Sequence, residues 1–274
     1  MKKTLLACSV LTALAFNAQA ATELPASIKA KGEIVAAIVP NYPPMDFKDP
    51  ATNQLTGVDV DLGNALAERL GVKIKWQETA FEQMISALVT KRVDIILSGM
   101  TDTKERQQVV TFVDYFTSGP QFYTLQSRSE INEMTDLCGK KVGTSRRTTW
   151  PNDVATWSKA NCEANGKPAV IVLGSEGSAD ARAQLRQGRL DAAVQGSETL
   201  PYIQDLEKGT FKSLGTPLTT QLTGLGVAKD NAALSAAIRS ELQAMVDDGS
   251  YRKILEKWGA ADGVLNPITI NGGK

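Results

Sequence analysis

The chain of 274 residues carries 30 lysines and arginines against 30 aspartates and glutamates, and it has no histidine. Balanced charge supplies no basic field for nucleic acid or for an acidic membrane surface. Without histidine there is no Ser-His-Asp or Cys-His catalysis and little scope for zinc, so neither a metal nor a cofactor is expected.

Residues 1–20 begin with Lys2 and Lys3, run apolar from Leu5 to Phe16, and reach Ala18-Gln19-Ala20 ahead of Ala21. This reads as an export signal cut after Ala20, too short to span a membrane. Leu5-Leu6-Ala7-Cys8 lies too near the start to have an apolar core before it, so lipidation is not expected. Loss of the signal takes away two lysines and no acids, leaving 28 basic and 30 acidic side chains. Residues 21–274 are too many for one small core and suit two compact lobes. No later stretch is long and apolar enough to cross a bilayer, so a soluble product outside the cytoplasm is expected. Cys8 leaves with the signal; Cys138 and Cys162 remain, and in an exported chain they read as a disulfide, the alternative being two free thiols.

A strand is expected over 33–39, ended by Pro40-Asn41-Tyr42-Pro43-Pro44, where the prolines hold Tyr42 at the strand's exit. There its ring can cover a ligand or pack in the core. Leu62, Ala65, Leu66 and Leu70 share one helix face closed by Gly71, and a strand follows over 72–76. A helix opening at Phe81 carries Met84, Ile85, Leu88 and Val89 at helical spacing and leads into an apolar strand over 93–97. That strand stops at Ser98-Gly99. Thr101, Asp102 and Thr103 then offer N-caps, with Glu105 placed as in a capping box, so a helix is expected to begin here. Its amides and Arg106 could hold a carboxylate or phosphate; the alternative is an ordinary turn with a surface arginine.

Strand, helix, strand, helix, strand implies a parallel sheet, and ligands sit beyond the carboxyl ends of such strands. Tyr42, Ser98 and the Arg106 turn share that end, with Phe81 on the same edge. An extended stretch over 112–126 can cross to a second lobe, where a short strand ends at Gly143. Thr144-Ser145-Arg146-Arg147-Thr148-Thr149-Trp150-Pro151 then leads to a helix, repeating hydroxyls and arginines before a helix start. Strands over 169–173 and 190–194 flank a helix over 179–187. Residues 214–220 can return to the first sheet, joined by 224–228 and followed by helices over 232–248 and 250–258. The α/β fold expected is therefore two lobes, 21–119 with 219–274 and the inserted 120–218, joined by a two-stranded hinge.

Gly57-Val58-Asp59-Val60-Asp61-Leu62, Phe81, Asp94, Thr103 with Arg106, Leu137-Cys138-Gly139-Lys140-Lys141-Val142-Gly143, Cys162 and Gly188-Arg189-Leu190-Asp191-Ala192 stand in this order along nearly the whole exported part. Taken together they resemble the polar amino-acid family of periplasmic solute-binding proteins, of the type II fold, which feed ABC importers. The resemblance implies a periplasmic monomer that closes its lobes on a small carboxylate and is read in closed form by an importer in the inner membrane. It implies that Arg106 grips the α-carboxylate, helped by Ser98, Gly99 and Thr101 and by Thr148 from the other lobe, and that Tyr42 and Phe81 sandwich the ligand.

Two departures bear on the ligand. An aspartate that in the family meets the α-ammonium falls here at Gly196, leaving Glu198 as a substitute only if the turn shifts. Arg147 replaces a customary glycine and favours added negative charge on the ligand. Val39 stands where binders of basic amino acids tend to have an acid. These features lead to the expectation of an N-substituted or acidic, opine-like amino acid without a strongly held ammonium. Two alternatives share the fold: an exported enzyme resembling cyclohexadienyl dehydratase, for which Glu198 and Glu176 are the only second-lobe acids to consider, and a ligand-reporting partner of a membrane sensor. A non-enzymatic receptor is the expectation.

Overall fold

The computed structural model describes residues 23–274, so the expected signal at 1–20 lies outside the described residues. Six strands form one sheet in the order Val264–Ile270, Val110–Ser118, Gln221–Ala228, Ile95–Ile96, Glu33–Ile38 and Lys73–Glu78. Glu33–Ile38 pairs in parallel with both of its neighbours, whereas the three strands on the far side pair antiparallel. Glu33–Ile38 is apolar from Ile34 onward because it is covered on both faces. Ile34 and Ala36 face Leu62 and Leu66 of the helix Val58–Arg69, and Val35 and Ala37 face Met84 and Leu88 of the helix Met84–Val89.

The second sheet has the order Ile171–Ser175, Lys141–Ser145, Ala192–Gly196, Pro120–Leu125, Phe211–Leu214. Its helix Trp150–Asn161 sends Val154 into a core with Phe122, Val142 and Val194. Val110–Ser118 leaves the first sheet and Pro120–Leu125 enters the second through Gly119 alone. The return strand pairs along its whole length with the outgoing one, from Gln221 opposite Ser118 to Ala228 opposite Val110. A Cβ on Gly119 would stand 1.8 Å from the Thr219 carbonyl oxygen, so the two crossings touch backbone to backbone.

Several local expectations need correction. No α-helix starts after Thr103; the chain makes one 3-10 turn, Arg106–Gln108, with the Thr103 hydroxyl accepting from the Arg106 amide at 3.2 Å. The β-branched run from Val109 is drawn into the first sheet at once, and that pairing outweighs the capping signal. The strands 33–38, 73–78 and 95–96 pair in parallel as expected, and the sheet as a whole is mixed because 221–228 and 264–270 enter antiparallel; the latter, interrupted by Pro267, had no strand signal beyond the helix that precedes it. The strand expected over 169–173 lies two residues later.

Cys138 and Cys162 form a disulfide with Cα atoms 5.5 Å apart, joining the entry to Lys141–Ser145 with the end of helix Trp150–Asn161. Closing a 24-residue separation constrains the unfolded chain by about 3 kcal/mol in the chain-entropy view. Replacing both cysteines by serine should lower the unfolding temperature by several degrees in calorimetry, and reductant should add nothing further to that variant. An unchanged transition in the double variant would show that the bridge is energetically idle.

Candidate functional site

A cleft of about 260 Å³ opens between the two sheets. The structure brings Tyr42, Phe81, Ser98, Gly99, Thr101, Arg106, Arg147 and Thr148 to its walls, from strand ends and turns of both lobes. Arg106 is the chemically distinctive member. Its Nη1 donates to the Thr101 carbonyl oxygen at 2.8 Å, and its guanidinium lies 5.6 Å from the Phe81 ring centroid. No carboxylate among the described residues pairs with it. Burial lowers its pKa, opposed by the charges of Glu105 and Asp102. A largely desolvated guanidinium with spare donors and an aromatic floor is complementary to a planar anion.

The turn before it divides its polar groups. The Ser98 hydroxyl accepts from the Val39 amide at 3.1 Å and donates to Asp46 Oδ2 at 2.8 Å, while the Gly99 amide donates to Asp59 Oδ2 at 2.8 Å. Both therefore hold the turn onto two buried aspartates beneath it, and their polar groups are turned away from a ligand. Thr101 is different: its neighbours Met100 and Asp102 make the backbone bonds to Gly224 and Leu222, which leaves the Thr101 amide and hydroxyl beside Arg106. Across the cleft the Thr148 hydroxyl donates to the Ser145 carbonyl at 2.7 Å and accepts from the Trp150 amide at 3.2 Å, shaping the entry to the helix.

At the cleft mouth Arg147 pairs with Glu82 of the opposite lobe, and Arg146 with Glu176 at 3.0 Å within its own. Arg147 thus bridges the lobes instead of standing as a free positive charge. Sequence reasoning passed over Glu82 and Trp150. Trp150, 8% exposed, lies 6.2 Å from Tyr42 ring to ring and covers the inner end of the cleft. Its place beside Pro151 at a helix start was the available signal.

Gly196 and Glu198 show how the missing aspartate is replaced. A Cβ on Gly196 would fall 2.1 Å from the Tyr42 hydroxyl oxygen and 2.4 and 2.5 Å from the two Glu198 carboxylate oxygens. The Glu198 carboxylate therefore occupies the space into which a side chain at 196 would project. It enters from the 3-10 turn Ser197–Thr199, accepts from the Tyr42 hydroxyl at 2.7 Å and also accepts from Ser118. Burial raises its pKa against the pull of these two hydroxyls. Glu198, which the expectation admitted only as a substitute, thus places a carboxylate from two residues further on in the space that a side chain at 196 would take. Tyr42, Gly99, Thr101 and Trp150 line both the main cleft and the small recess of about 20 Å³ that contains Glu198.

The family described as bacterial extracellular solute-binding proteins, family 3, matches residues 34–261. The L-arginine-binding protein of Pseudomonas aeruginosa is 33% identical over 230 residues, covering 81% of this chain and 85% of the relative. The lysine/arginine/ornithine-binding periplasmic protein of Escherichia coli is 29% identical over 269 residues, covering 94% and 97%. Among solved structures, an ancestral arginine-binding protein bound to arginine superposes with a TM-score of 0.71 at 32% identity, over 83% of this chain and 98% of that one.

Proposed function

The chain belongs to family 3 of the bacterial extracellular solute-binding proteins, and on that premise we propose that it captures a small amino carboxylate between its lobes in the periplasm and delivers it to an ABC importer. Its role is binding, as in the relatives named for binding. The observation that carries the ligand class is the half-buried Arg106 guanidinium without a carboxylate partner in the cleft. An isolated, half-buried cation is costly, and an incoming carboxylate removes that cost. Thr101 stands ready to add its amide and hydroxyl to the same anion.

Glu198 is the complement. Its carboxylate receives only neutral hydroxyls, so a primary or secondary amine on the ligand would provide the cation that the pocket lacks. A cation on the cleft wall and a carboxylate in the adjoining recess select a molecule that presents both a carboxylate and an amine, an amino acid or an N-substituted amino acid such as an opine-like conjugate. Val39 lines the wall with an apolar side chain, and the acids Glu82 and Glu176 are already paired with arginines. A long basic side chain would find no unpaired acid there, which favours a neutral or acidic side chain.

The test is a thermal-shift screen of refolded, ligand-stripped protein against amino acids, N-substituted amino acids and carboxylic acids without an amine. At about 100 times Kd a ligand adds roughly 2.7 kcal/mol, or about 5 °C or more. Amino and N-substituted amino acids should give the large shifts, and Glu198→Gln should weaken the best of them about tenfold or more. If amine-free carboxylates shift the protein equally, Glu198 is not a ligand contact. Largest shifts from lysine or arginine would overturn the side-chain reading.

A further inference from the structure

Arg106 has an obvious partner that it does not take. Asp102 lies four residues earlier in the chain, is 2% exposed, and is near enough for its charge to act on the guanidinium. An ion pair between them would close the anion site from within. Both carboxylate oxygens of Asp102 are instead held by other donors: Oδ1 accepts from Gln107 Nε2 at 2.8 Å and Oδ2 accepts from the Gly273 amide at 2.7 Å. Its own amide donates to the Leu222 carbonyl at 2.8 Å, on the strand returning from the second sheet.

The segment 271–273 that provides this grip is itself fixed. Asn271 exchanges two hydrogen bonds with the Phe112 backbone, its amide donating at 3.0 Å and its Oδ1 accepting at 2.8 Å. The Gly272 amide donates to Asp114 Oδ2 at 2.9 Å. Gln107 Nε2 also reaches the carbonyl oxygens of Asn271 and Gly273, both at 3.2 Å. At Gly273 a Cβ would stand 2.1 Å from the Asp102 carbonyl oxygen, so the close approach requires glycine. Two amides of one short strap thus point at two buried carboxylates, Asp102 and Asp114.

We propose that the strap 271–273 withholds Asp102 from Arg106 and thereby keeps the guanidinium free for a ligand carboxylate. Asp102 and Gly273 are positioning residues that act through Arg106. This rests on the reading of Arg106 as the anion site.

The experiment compares a chain stopped after Ile270, and separately Gly273→Ala, each with and without Asp102→Asn. In ligand-stripped protein, NMR of the Arg106 guanidinium, assigned by its loss in Arg106→Lys, reports pairing: a free group rotates and averages its Nη signals, whereas a carboxylate-paired one resolves them. Titration with L-glutamine and L-glutamate reports affinity. Disturbing the strap should resolve the Arg106 signals and weaken the amino acid that binds by about tenfold. Asp102→Asn in the same background should restore averaged signals and return affinity to within about threefold of the unaltered protein. Unchanged Arg106 signals in both strap variants would overturn the proposal, as would an affinity loss that Asp102→Asn fails to repair, since a strap that only supports the fold gains nothing from losing that charge. If neither amino acid binds the unaltered protein, the NMR comparison decides by itself, and failure of the receptor reading is then distinct from failure of the strap.

Discussion

Arg106→Ala should abolish capture of the ligand identified by the screen while leaving the fold intact. Truncating one partner of a buried charge pair costs about 2–5 kcal/mol, a loss of roughly thirtyfold to several thousandfold in affinity. Little else depends on the side chain: it makes one hydrogen bond, to the Thr101 carbonyl, and stacks on Phe81. The ligand-free variant should therefore unfold at the same temperature as the parent or slightly higher, since an uncompensated half-buried cation has been removed. Arg106→Lys should recover only part of the affinity, because an ammonium cannot offer two parallel donors. Titration calorimetry paired with thermal unfolding separates these effects. Tight binding by the alanine variant would move the carboxylate elsewhere in the cleft, with Arg147 the next candidate.

The second large effect concerns pH and the acids beneath the Ser98-Gly99 turn. Asp46 and Asp59 are both fully buried. Burial, followed by the charge of Asp59, holds the Asp46 carboxyl well above the ordinary range, and burial pushes Asp59 up to about 7 despite hydrogen bonds from Tyr115 and Gly99. Asp114 is likewise pushed up to about 7 by burial. Carboxyls raised in the folded state bind more protons there than in the unfolded chain, so stability falls as pH rises from about 4 to about 7 and levels off above. The folded protein should accordingly be more stable at pH 5 than at pH 8. Asp46→Asn imitates the protonated acid: its oxygen can accept from Ser98 and its amide can donate to Asp59. The variant should therefore be stabilised relative to the parent by clearly more at pH 8 than at pH 5, measured by denaturant unfolding. Equal gains at both pH values would mean that Asp46 carries no extra proton in the folded protein.

What could be read from the sequence was local or periodic. Strand ends and proline brackets placed Tyr42, Ser98, the Arg106 turn and Phe81 at one sheet edge, the family resemblance added Thr101 and, from the other lobe, Thr148, and all line the cleft. What could not be read depended on space rather than position. The aspartate missing at Gly196 is replaced by a side chain rooted two residues later, because Glu198 folds back from a 3-10 turn into the room that glycine leaves. The capping pattern at Asp102 and Glu105 was well formed, yet the strand Val110–Ser118 claimed the chain before a helix could extend. Likewise the inward turning of Ser98 toward Asp46 depends on a residue 52 positions away. Pattern marks where chemistry is possible; long-range partners decide which polar groups remain available for it.

The position of Gln221–Ala228 within the first sheet bears on the order in which the molecule can assemble. That strand lies between Val110–Ser118 and Ile95–Ile96, so a chain made from its N-terminus cannot close the sheet until residues beyond 220 are available. Every strand of the second sheet, by contrast, comes from one uninterrupted stretch ending at Leu214. The inserted sheet can thus form while the enclosing one still has a gap at its centre. During that interval Val110–Ser118 and Ile95–Ile96 present unpaired edges, the state most exposed to wrong partners. Arrival of the C-terminal fifth of the chain is the event that commits the whole molecule.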